Sequence, residues 1–307
     1  MTRFIDESRA RFGAEPICRV LEFNPSTYYA AKKRPPSARS IEDERLKTEI
    51  KRVHKDSFDV YGARKVWLHL RREGTPAARR TVGRLMRDPG LPGVRRGAFK
   101  KTAVPDESAP QPVDLVNREF TATRPDEIWV ADITYVATWS GFVYTAFVTD
   151  VFSRKIIGWR VSRSLRSDLA LDALEMAVWS RGRSVDGVIH HSGRGCQYLS
   201  IRYTERLAGT GCVASVGSKG DSYDNALAET VNGLYKTEVI RKDGPWKNIG
   251  EVESAALVWV DWFNNRRLLS SIGDIPPSEF EERCWQEREA TDYAADERRE
   301  RVESVGL

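Results

Sequence analysis

The chain has 307 residues, 40% apolar and 10% aromatic, which gives room for two or three domains with a real core. No apolar run approaches the roughly 18 residues of a membrane span, and Met1-Thr2-Arg3-Phe4 opens no apolar signal core, so the expectation is a cytoplasmic protein. Net charge is +5, but residues 1–101 hold 25 Lys and Arg against 12 Asp and Glu, whereas the remainder holds 24 against 32. A basic front third is the footprint of phosphate binding. Cys18, Cys196, Cys212 and Cys284 are scattered without a Cys-x-x-Cys pair, which excludes a zinc finger and points to reduced thiols.

Residues 1–38 form the first unit, a helix-turn-helix segment. Ala14 to Leu21 carries Ile17, Val20 and Leu21 at helical spacing; Asn24 caps a second helix that opens at Pro25 and ends in Lys32-Lys33-Arg34. Residues 39–97 form a second helical DNA-binding domain. Ile41 to His54 places Leu46, Ile50 and Val53 on one face. Tyr61-Gly62-Ala63-Arg64-Lys65-Val66 opens the next helix, and Thr75-Pro76 is expected to cap a third with Ala78, Val82, Leu85 and Met86 as its buried stripe. Arg80, Arg84 and Arg87 share the opposite face, beside Arg79. Like charges on one face repel, so the clustering points to an anionic partner.

Residues 98–123 read as a linker broken by Pro105, Pro110 and Pro112. A core over 124–240 follows. Strands are expected over Ile128 to Val136, Phe142 to Asp150 and Lys155 to Ser162, then a helix capped by Ser167-Asp168 and running to Trp179. A short strand over Gly187 to His190, a helix over Ser200 to Leu207, a strand over Cys212 to Val216 and a long helix over Tyr223 to Ile240 complete it. A three-strand meander followed by alternating helix and strand predicts an α/β, ribonuclease-H-like core behind an all-α front end. Residues 241–307 read as a helical extension. It holds a helix over Glu251 to Arg266, and a charged end from 281 onward that frays or forms a loose helix.

Three segments carry the chemistry. Asp132 sits in Ile-Trp-Val-Ala-Asp-Ile-Thr-Tyr-Val, Glu229 in Ser-Tyr-Asp-Asn-Ala-Leu-Ala-Glu-Thr, and between them lies His190-His191-Ser192-Gly193-Arg194-Gly195-Cys196-Gln197-Tyr198. Alone, an acid in a strand is as well explained by a salt bridge, and Asp150, beside Arg154, is read that way; Asp224 reads as a helix-start acid. Jointly, the flanking words and their order resemble the integrase-like core of insertion-sequence transposases of the two-reading-frame class, as its downstream-frame product. Tyr-Gly-Ala-Arg-Lys-Val and Thr-Val-Gly-Arg-Leu-Met likewise resemble that family's DNA-binding region.

The resemblance implies three carboxylates that hold two Mg²⁺ or Mn²⁺ ions for phosphoryl transfer. Asp132 and Glu229 are then catalytic metal ligands. The family's middle segment reads His-Ser-Asp-Arg-Gly-x-Gln-Tyr, and here Gly193 stands where its Asp belongs. The 35 residues between 193 and 229 match the spacing shared with retroviral integrases. Asp186, seven residues earlier, is not expected to replace the missing acid. Gly193 is therefore expected to impair the chemistry; it reads as natural decay, with a deliberate replacement, for which Ala or Asn would be commoner, and a site completed by another group as alternatives.

Lys236, two turns after Glu229, and Arg194 and Lys219 at the cleft border join Arg64, Lys65, Arg79, Arg80, Arg84 and Arg87 as expected DNA contacts. Gly217 and Gly220 read as a mobile loop before the catalytic helix. Trp246, Trp259 and Trp262 read as core rather than as base-stacking rings. The implied activity is cutting and joining of an element's terminal inverted repeats by a homo-multimer on paired ends, with the upstream-frame product as a further partner. The alternatives are a catalytically silent protein that occupies element ends, favoured by Gly193, and a plain nuclease, disfavoured by the basic front end.

Overall fold

A computed structural model describes residues 1–94, 114–116, 120–193, 195–217 and 225–305. Three short helices open the chain: α1 Thr2–Phe12, α2 Ala14–Val20 and α3 Pro25–Lys33. The Asn24 side chain accepts from Ser26 N, so the expected cap is present. Ile5, Ile17, Cys18 and Tyr28 form their small buried core. Val20, expected on the apolar face, is 82% exposed.

The second helical unit comprises α4 Ala38–Asp56, α5 Ala63–Arg72 and α6 Arg79–Arg87. Leu46, Ile50 and Val53 of α4 are buried against Val66 and Leu70 of α5 and Val82, Leu85 and Met86 of α6. The third helix starts later than Thr75-Pro76 implied. Trp67 Nε1 donates to Ala77 O at 2.9 Å and the residue before Arg79 is extended, so Ala78 lies outside the helix and is exposed.

The catalytic-type core is a five-stranded sheet in the order β3-β2-β1-β4-β5. β1 Ile128–Thr138, β2 Gly141–Asp150 and β3 Ile156–Ser162 form the antiparallel meander, with Asp132 opposite Phe147. β4 Ile189–Ser192 runs parallel to β1 with Ser192 opposite Ala131, and β5 Val213–Val216 runs parallel to β4. β4 is thus two residues later than its apolar run implied.

α7 Ser167–Arg181 covers one face of the sheet through Leu169, Ala173, Leu174 and Ala177. It approaches β3 so closely that a Cβ on Gly158 would lie 2.1 Å from Ala173 O, so only glycine fits there. No side chain caps α7, because the Asp168 carboxylate turns to Arg202. α8 Ile201–Gly209 starts at Ser200, whose hydroxyl accepts from Tyr203 N.

The other face receives α9 Ala226–Tyr235. This helix continues through a π-helical turn, Lys236–Ile240, into the single turn α10, Arg241–Asp243. α11 Ile249–Asn265 packs beside it with Trp259, Trp262 and Phe263 buried. These rings, and Trp246, whose Nε1 donates to Ile240 O at 3.0 Å, are core as read.

The second helical unit and this face share one hydrophobic cluster, from Leu46 to Ile275. Phe58 and Tyr61 meet Trp262 with ring centroids 5.1 and 5.8 Å apart, and Tyr61 Oη accepts from Leu268 N at 2.7 Å. The C-terminal segment differs from expectation: α12 Pro277–Val305 is one continuous helix. It is anchored at its start by Glu281, which is buried and bonded to Ser153, Lys155 and Arg181. No helix among the described residues is long and apolar enough to cross a membrane.

Candidate active site

The sheet register builds the site. Asp132 follows Ala131, the last β1 residue paired with β4, and Gly193 follows its partner Ser192. Positions 132 and 193 therefore leave the two parallel strands side by side. α9 lies along them, with Asn225, Glu229, Asn232 and Lys236 at intervals of four, three and four residues, which is one helical face. Two of these residues fix the helix to β1. Asn225 Nδ2 donates to Ala131 O at 2.9 Å, and Asn232 Nδ2 donates to Asp132 Oδ2 at 2.9 Å. Glu229, half-buried in the first turn of α9, lies between them on that face.

Asp132 also accepts from Ile133 N at 2.9 Å. Burial pushes its carboxyl up to about 6, against the lowering pull of these two hydrogen bonds and of Lys236. An acid so placed wants a cation or a proton. Asn225 Oδ1 and Asn232 Oδ1 are buried with no hydrogen-bond donor among the described residues. The sequence reading passed over both asparagines; their spacing with Glu229 was the available signal.

Position 193 is open. A Cβ there would meet only Asn225 Nδ2, at 3.9 Å, and the backbone is not left-handed. No steric or conformational reason requires glycine, in contrast to Gly158. Asp186 lies at the other end of β4, next to Gly211, and does not replace the acid. Among the described residues no group of three or more His, Cys, Asp or Glu could hold a metal.

The expected DNA contacts divide in three. Arg79, Arg80 and Arg87 are exposed and, with Arg39 and Arg84, line a groove of about 630 Å³ on α6. Arg84, Arg64 and Lys65 have internal partners. The Arg84 guanidinium bonds both oxygens of Asp43, at 2.7 and 2.9 Å. Arg64 is bidentate on Asp274, at 2.9 and 2.6 Å, because α5 faces the loop after α11. Lys65 lies over the Tyr61 ring at 5.3 Å, and burial lowers its ammonium to about 8, with Arg267 adding to the effect. Lys236 lies 4.5 Å from the Tyr135 ring centroid, close enough to Asp132 to interact with it. Arg194, Lys219, Gly220, Asp221, Ser222 and Asp224 lie outside the described residues.

Asp150 is structural, but its partner is not Arg154. Asp150 accepts from Ser153 N at 2.7 Å and from Asp126 N at 2.8 Å, and it faces the Arg181 guanidinium at 3.4 Å. The Arg154 guanidinium reaches Phe120 O instead.

An integrase-type sheet behind a helical domain that packs on its catalytic helix defines a class, the polynucleotidyl transferases that recombine DNA. Residues 122–222 and 210–277 match integrase core domain families, and residues 41–99 match an HTH-like domain. A transposase for insertion sequence element IS986/IS6110 of Mycobacterium tuberculosis is 52% identical over 269 residues, covering 86% of this chain and 97% of the relative. The transposase for IS629 of Shigella sonnei is 50% identical over 300 residues, covering 96% and 100%. The chain belongs to this family of insertion-sequence transposases. Among solved structures, the HTLV-2 integrase catalytic core in complex with magnesium aligns with a TM-score of 0.43 and 16% identity, covering 52% of this chain and 99% of that one.

Proposed function

We propose that this transposase binds the ends of its element and that its cutting and joining chemistry is impaired by glycine at 193. The observation that carries the reading is the site itself. Asn232 joins the α9 face that bears Glu229 to Asp132, which supports a carboxylate site there, and position 193 is open and empty of an oxygen side chain. The residues present do not fit a two-ion site. Asp132 and Glu229 supply two carboxylates, where a pair of hard divalent ions would be held by three. What this chain's residues do is orient. Asn232 fixes one Asp132 oxygen, Asn225 fixes the helix to the strand end, and Lys236 sets a positive charge beside Asp132.

DNA is held first by the exposed arginines of α6. Arg64, Lys65 and Arg84 serve the packing of the helical unit before any contact with DNA. The units at 1–38, 39–97, 124–240 and 241–307 then act as arm, end reader, core and brace, on a homo-multimer that pairs two ends and takes the upstream-frame product as partner. The setting is the bacterial nucleoid. The rival reading, an end-occupying protein with no catalysis at all, is favoured by the same glycine.

Calorimetric titration with Mn²⁺ separates an incomplete site from a complete one. This chain should take at most one weakly bound ion, Gly193→Asp should take two, and Glu229→Gln in that background should lose at least one. Two tight ions on the unaltered chain would contradict the reading.

A further inference from the structure

Three exposed aromatic rings lie at the tip of the hairpin that carries Asp132. Trp139 is 71% exposed, Phe142 58% and Tyr135 42%. Grouped large apolar side chains in water mark a surface that meets something. The tip is held firmly. Tyr135 and Phe142 pack edge to face with centroids 5.7 Å apart. Thr138 Oγ1 donates to Gly141 O at 2.6 Å and closes the turn. Trp139 N donates to Trp246 O at 2.9 Å and Ser140 N to Lys247 O at 3.2 Å, which ties the turn to the segment after α10. On its other side β4 ends opposite Ala131, so among the described residues β1 has no strand beside it from Asp132 until Trp246 bridges Thr138.

The chemistry of the patch is specific. Its side chains are aromatic rather than aliphatic, and the Lys236 ammonium lies 4.5 Å from the Tyr135 ring centroid. Tyr135 is three residues from Asp132 on the same strand, so the two side chains leave opposite faces of β1, and Lys236 at the strand edge interacts with both. A flat ring beside a cation matches a nucleobase beside its phosphate, because every base has a π-face and stacking is sequence-tolerant. We propose that Tyr135, Phe142 and Trp139 form a stacking platform for unpaired bases at the DNA end, with Lys236 against the adjoining phosphate. This deepens the function proposed above and rests on it, since it requires DNA ends to reach Asp132. Strands that fray or are cut next to Asp132 would be kept apart by the platform.

The test uses the full chain with two duplexes of the same sequence, one blunt and one with a short single-stranded tail carrying 2-aminopurine. The chain should bind the tailed duplex at least about tenfold more tightly and quench the 2-aminopurine, as ring stacking does. Replacing all three rings, Tyr135→Ala, Phe142→Ala and Trp139→Ala together, should remove the preference and the quenching while blunt-duplex affinity stays within about twofold, since the α6 arginines set the latter. Tyr135→Phe, which keeps the ring, should retain both. Equal affinity for the two duplexes with no quenching by the unaltered chain overturns the proposal whether or not the variants fold. Failure to bind either duplex would instead overturn the underlying DNA-end reading. If the triple variant keeps the tail preference but sediments as a smaller species, the patch is an interface between copies of this chain and the proposal falls.

Discussion

At the scale of single residues, two glycines in the same sheet behave oppositely. Gly158 has α7 backbone where a Cβ would be, while Gly193 has open space. Gly158→Ala should therefore destabilise the fold by about 1–3 kcal/mol through overpacking. Gly193→Ala should change stability by no more than about 0.5 kcal/mol. Urea unfolding of both variants checks this, and a large loss at 193 would mean that glycine there is structural. The roles of Asp132, Gly193 and Glu229 are those proposed above, and the words around these residues were legible as the family's. Asn225 and Asn232 were not, because amides that serve by hydrogen bonding leave no charge pattern. Arg64 and Arg84 were read as DNA contacts, and the structure adds intramolecular partners that sequence does not show. Asp274 lies 210 residues from Arg64, and Asp43 lies 41 residues from Arg84.

At the scale of elements, α6 is the place where charge remains free for a ligand. Arg79, Arg80 and Arg87 are exposed, whereas Arg84 is clamped by Asp43. If the first three each meet a phosphate, replacing all of them by Ala should flatten the dependence of log affinity on log salt by about 2.7, at about 0.9 per contact. Arg84→Ala alone should flatten it by less than one contact. A salt titration of duplex binding decides, and an unchanged slope in the triple variant would make these arginines ordinary surface. Elements with strong periodicity, such as α4, β1 and β2, were legible to within a few residues. The start of α6 was not, because the Trp67 bond to Ala77 holds an extended lead-in that capping signals do not report. The order in α12 was also hidden. It begins from buried Glu281, tied to Lys155 and Arg181, and no local pattern in a charged segment announces those partners.

At the scale of the whole molecule, the helices α4 to α6 and the helix that carries Glu229 share one hydrophobic cluster. Glu238, in the π-helical turn just after Lys236, is buried and bonded to Arg267 and to Trp259 Nε1. Lys65 of α5 stands against the same pair. α5 is thereby tied through packed side chains to the helix that carries Glu229. The fold class and the helical front end were readable from the order of strand and helix patterns. The docking of one on the other was not, since it rests on contacts such as Tyr61 to Leu268, 207 residues apart. The central claim is that this assembled scaffold lacks one carboxylate and little else. The direct measurement is cleavage and joining of the element's terminal repeats in Mg²⁺ and in Mn²⁺, by this chain and by Gly193→Asp at equal concentration. Restoring the acid should raise the rate at least about 1,000-fold, as each ~1.4 kcal/mol of transition-state stabilisation is worth tenfold, with end binding unchanged. Comparable rates for the two proteins would contradict the account and show that another group completes the site.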